Sequence, residues 1–124
     1  MFGLIWEKLR SGHTEREPVR YFIKPEDARF LFGRCGDVEP LADVAWTEIS
    51  EIRAFKRDLF VVDEICLGIG YGKGDYVEVW ESDLGYEDFL AALNARLPEC
   101  ARDWWSKVAF PAFATNETVL YKRP

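Results

Sequence analysis

Residues 65–80 read ICLGIGYGKGDYVEVW, with glycine at 68, 70, 72 and 74 and a lysine inside the run. Such a glycine series either cradles a phosphate or shapes a turn. A dinucleotide fingerprint needs G-x-G-x-x-G leading into a helix. Counted from Gly68, the third glycine position is Lys73, and the residues that follow alternate like a strand. The P-loop spacing also fails. Residues 65, 67, 69 and 71 are Ile, Leu, Ile and Tyr, whereas 66, 68, 70 and 72 are Cys, Gly, Gly and Gly. Side chains of a strand point alternately to its two faces, so one face is bulky and the other nearly bare backbone. The segment therefore reads as a β-hairpin that turns at Gly72-Lys73-Gly74-Asp75 and returns over Tyr76–Trp80. Its bare face allows a helix or an aromatic ring to approach closely.

Upstream, Trp46-Thr47-Glu48 reads as a short turn and Ile49–Lys56 as a strand, with Lys56-Arg57-Asp58 a polar turn. Leu59–Tyr71 continues as a long strand interrupted by Asp63-Glu64. Two shorter strands are expected at Val19–Ile23 and Ala28–Phe32, separated by a turn at Pro25-Glu26-Asp27, with a loop from Gly33 to Pro40. Phe2, Ile5, Trp6 and Leu9 fall at helical spacing, predicting an amphipathic helix over 2–10 that docks on the core or meets a partner.

Downstream, Tyr86, Phe89, Leu90, Leu93 and Leu97 lie on one face of a 3.6-residue repeat, predicting the main helix over 86–97. Gly85 or Asp83 caps it, Glu87 and Asp88 oppose its dipole, and Pro98 ends it. A last strand is expected at Thr118–Tyr121. The fold class is α+β: a bent antiparallel sheet of about five to seven strands carrying one main helix.

The chain has 124 residues, enough for a single domain with one core. Its apolar content, 48%, argues against disorder. With 22 acidic against 16 basic residues, the net charge is −6. That field opposes nucleic acid and anionic membranes. No stretch approaches the roughly 18 apolar residues that span a bilayer, and no secretory signal is visible. Asn116-Glu117-Thr118 matches the glycosylation triplet only by chance in an unsecreted chain.

Cys35, Cys66 and Cys100 are distant in sequence, and His13 is the only histidine. Neither a zinc site nor a disulfide framework follows, and neither metal nor cofactor is expected. Three reduced thiols suit a cytoplasmic protein. His13, in a polar segment, reads as a solvated side chain rather than a base for nucleophilic catalysis.

Carboxylates supply the other candidates for chemistry. Asp58, Asp63, Glu64, Asp75, Glu78 and Glu81 cluster around the central hairpins. A solvated sheet face accounts for Glu78, and a bulge or an ion pair with Lys56 or Arg57 accounts for Asp63-Glu64. The candidate partner-binding residues are Trp104, Trp105 and Phe113, from an aromatic group that includes Phe110, together with Lys56, Arg57 and Asp58.

Three stretches carry a resemblance: WTEISEIRAFKRDLFVVDEICLGI (46–69), GYEDFLAALNARLP (85–98) and FPAFATNETVLYKR (110–123). Together, over 46–123, they resemble a family of small uncharacterised bacterial cytoplasmic proteins, which brings no activity or site with it. The run from W-x-x-I-x-x-I through a hairpin to a helix also resembles bacterial pleckstrin-homology-like (PH-like) domains.

Three functions are thus expected, in this order. The first is a non-catalytic protein-binding or regulatory module, including an acidic immunity-type inhibitor of a basic partner. The others are a carboxylate-dependent enzyme, and a small-ligand or lipid-headgroup binder on a PH-like sheet.

Overall fold

The structure, a computed structural model, describes residues 20–58, 63–98, 104–109 and 117–123. The predicted helix at 2–10, His13, Cys100, Phe110 and Phe113 lie outside the described residues. Seven strands are present: β1 (Tyr21–Pro25), β2 (Arg29–Arg34), β3 (Ala42–Ala45), β4 (Ile49–Asp58), β5 (Asp63–Tyr71), β6 (Asp75–Trp80) and β7 (Thr118–Lys122). Two helices accompany them, α1 (Tyr86–Arg96) and α2 (Trp105–Ala109).

The architecture is α+β and every strand pairing is antiparallel. A three-stranded sheet has the order β1-β2-β3, and a four-stranded sheet the order β6-β5-β4-β7. The bend between them is a single 3-10 turn at Trp46–Glu48, the place the sequence marks as a turn. The Ala45 N–H donates to Glu48 Oε1 at 3.0 Å, which covers a donor on the open edge of β3. Covering edge donors in this way blocks strand addition by another chain.

The hairpin reading of 65–80 holds. β5 and β6 pair from Cys66↔Trp80 to Tyr71↔Asp75 around a turn whose Gly72 and Gly74 have φ of 58° and 91°. On its bare face the ring of Tyr76 lies across Gly68, where a Cβ would overlap the tyrosine hydroxyl. The bulky face, Ile65, Leu67 and Ile69, is buried with Ile52, Ala54, Val77 and Val79. β7 pairs with β4, which fixes the C-terminal segment against the centre of the sheet.

α1 packs on β1 through Phe89, whose ring meets Phe30 at 5.0 Å and Trp46 at 5.9 Å. Trp46 is held in turn by its indole N–H, which donates to the Glu26 carbonyl at 2.9 Å. Tyr86, Leu93 and Leu97 complete the buried stripe that the helical periodicity indicates. Two elements escape the sequence reading. β3 has only four residues, too few for a clear period, and the five-residue α2 is stabilised by packing on β4.

Candidate functional site

The carboxylates singled out in the sequence gather where β5 begins and β6 ends. Asp63 Oδ2 lies 3.4 Å from Lys56 Nζ, the ion pair anticipated for the Asp63-Glu64 interruption. Glu64 Oε2 accepts from the Ser82 N–H at 2.9 Å, and Asp83 Oδ2 from the Trp80 N–H at 2.8 Å. These acids fasten the turn between β6 and α1 to the sheet. Backbone donors so placed satisfy a carboxylate and fix its orientation.

Glu78 corrects the expectation of a solvated residue, since it is 1% exposed. Its oxygens accept from Arg57 Nε at 2.6 Å, Arg57 Nη2 at 2.8 Å and Trp80 Nε1 at 2.6 Å. The glycines of β5 leave this face low enough for the Tyr76 ring to settle beside the pair. A carboxylate holding three donors, two from a guanidinium, is committed as an acceptor and poorly placed to relay protons.

Glu81 is the most accessible member of the group. It is exposed and receives only a long hydrogen bond, 3.4 Å, from the Ile65 N–H. Desolvation raises its pKa above 4.5, the hydrogen bond from Ile65 opposes this, and the nearby Glu64 charge raises it further. The folded state therefore holds this proton more tightly than the unfolded chain does. Stability from this group is greatest at acid pH and falls as pH rises through the carboxylate range. Glu81→Gln is thus expected to raise the urea midpoint at pH 7 and leave it nearly unchanged at pH 3. A larger gain at pH 3 would contradict the assignment.

Of the predicted partner-binding residues, Lys56 is 4% exposed, with Nζ donating to the Ala109 carbonyl at 2.6 Å at the end of α2. That carbonyl carries the negative end of the helix dipole. Arg57 projects to the opposite face of β4, where it also lies over the Phe55 ring at 5.6 Å. Strand alternation separates the two cations that adjacency in sequence had grouped. Trp104 is buried at 8% exposure, whereas Trp105 is 51% exposed. The side chain of Asp58 and the whole of Phe113 lie outside the described residues.

Cys35 is exposed and Cys66 buried, both as free thiols. Among the described residues no group of His, Cys, Asp and Glu is arranged to hold a metal ion. No described helix is long and apolar enough to cross a membrane. Lys73, Lys122 and Arg123 share one end of the four-stranded sheet with Glu48, Glu51 and Asp75, which gives that end mixed charge. In comparisons with known proteins, no family model, curated protein or solved structure matches the chain.

Proposed function

We propose that this chain is a non-catalytic binding module whose negative field recruits a basic protein partner, with the immunity-type inhibitor as its specific form. One observation carries the reading: its cations are neutralised within the fold while acids remain in surplus. Arg29 pairs with Asp43 at 3.0 Å, Arg34 with Asp37 at 2.8 Å and Arg96 with Asp27 at 3.2 Å. Arg53 bridges Glu51 and Glu117, and Arg57 is taken by Glu78. Glu39, Glu87 and Asp88 are exposed and meet no cation among the described residues. The excess charge behind the overall −6 is thus displayed at the surface.

Surface charge of one sign accelerates encounter with an oppositely charged partner and repels like-charged ones. The commitment of Asp63, Glu64, Glu78 and Asp83 to internal donors supports a binding role over carboxylate catalysis. The resemblance to bacterial cytoplasmic proteins is compatible with such a role.

Affinity capture from the host lysate with the purified chain as bait, identified by mass spectrometry at low and high salt, tests this. The expected partner is basic and is lost at high salt, and its association rate falls at least roughly tenfold between low and high ionic strength. Acidic partners, or a rate indifferent to salt, would overturn the proposal.

A further inference from the structure

The three-stranded sheet buries Tyr21, Ile23, Phe30, Phe32 and Val44 on one face, and its other face has an apolar row of its own. Phe22 is paired with Gly33 in the ladder, and a parallel bridge sets Leu84 on its other side. Two hydrogen bonds fix the bridge, Ile23 N to Leu84 O at 2.8 Å and Leu84 N to Tyr21 O at 3.0 Å. Paired residues in a sheet share a face, so Leu84 and Phe22 stand side by side. The missing side chain of Gly33 lets the Phe22 ring lie across β2, since a Cβ there would sit 3.0 Å from the ring and 3.2 Å from Pro40 Cα. Beyond Pro40, alternation turns Leu41 away from the core face that Ala42 fills.

The row is open, with Leu84 at 55% and Leu41 at 39% exposure, and Val38 in the adjoining loop at 96%. Glu39 flanks it on the loop side, and Glu87 and Asp88 in the first turn of α1 flank it beside Leu84. The cations of this face are already matched, Lys24 by Glu26 at 3.7 Å and Arg29 by Asp43 at 3.0 Å. Apolar contact area with unneutralised acids at both ends favours one kind of occupant. A second copy would bring the same acids into opposition, and an anionic bilayer or nucleic acid would be repelled.

We infer that this outer face is the docking surface for a basic segment of a partner protein, with an apolar anchor against Phe22, Leu41 and Leu84 and Lys or Arg beside Glu39, Glu87 and Asp88. The inference rests on the binding-module reading and gives it a location. Its test is NMR titration of the full chain with a ten-residue peptide of alternating leucine and lysine. Parallel titrations use a leucine–glutamate peptide, a lysine–serine peptide and anionic vesicles, and a concentration series of the protein alone accompanies them.

Shift changes confined to Phe22, Leu41 and Leu84 with the leucine–lysine peptide are expected. Leu41→Ser/Leu84→Ser, both at exposed positions, should weaken binding at least roughly tenfold without changing the fold. Shifts centred elsewhere, equal binding of the acidic peptide, vesicle binding at this face, or self-association through it would overturn the surface. If the captured basic partner binds that double variant as well as the parent, the surface fails and the binding-module reading stands. If neither a lysine-bearing peptide nor a captured basic protein binds anywhere, both fail.

Discussion

Arg57→Met is expected to destabilise the protein by about 3–5 kcal/mol, the cost of breaking a buried ion pair from one side. The loss comes from what stays behind. Glu78, 1% exposed, would keep the Trp80 indole N–H but lose both guanidinium hydrogen bonds. Its charge would then be buried without a counter-ion. The double variant Arg57→Met/Glu78→Leu removes the stranded charge and is expected to recover most of the loss, since apolar replacement of a whole pair is often neutral. Arg57→Lys should recover only part, because an ammonium cannot reproduce the two-pronged contact. Urea denaturation of the four proteins in this cycle measures the coupling. A cost below about 1 kcal/mol for Arg57→Met would place the pair among weak surface bridges and refute its structural role.

Gly85→Ala is expected to cost about 3 kcal/mol or more, with two separable causes. Gly85 adopts φ of 91°, a left-handed conformation that disfavours any side chain, and a Cβ there would overlap the Ile23 carbonyl oxygen. The left-handed backbone alone costs a non-glycine residue about 1–2 kcal/mol. The contact adds more, because the obstructing atom is main chain and cannot rotate aside. Gly74 provides the control: its φ is also 91°, yet nothing lies within 4 Å of its Cβ position. Gly74→Ala should therefore show the conformational cost alone. The excess loss at Gly85 measures how tightly the start of α1 is clamped to β1. Equal losses in the two variants would show that the close approach of Leu84-Gly85 to β1 is not needed for stability.

Much of this architecture is legible in local patterns. The alternation on either side of Gly72-Lys73-Gly74, the turn at Trp46-Thr47-Glu48 and the stripe from Tyr86 to Leu97 each depend on neighbours a few residues apart. The candidate sites were less legible. Adjacency placed Lys56 and Arg57 in one patch, although strand alternation already held the signal that they face opposite ways. Glu78 sits in Tyr76-Val77-Glu78-Val79-Trp80, a pattern indistinguishable from that of an outward-facing acid. Nothing nearby in sequence announces Arg57, 21 residues away, as its partner. The open row is likewise assembled from three places, with Phe22 on β1, Leu41 before β3 and Leu84 before α1.

Periodicity and turn chemistry by themselves determined the hairpin, the main helix and the antiparallel α+β class, because those preferences act along a few consecutive peptide units. Only the assembled fold decided that β7 lies beside β4, that Glu78 is dry, and that Leu84 borders Phe22. Such outcomes depend on which distant segments exclude water from one another, and desolvation is a property of the packed surface rather than of any short run of residues.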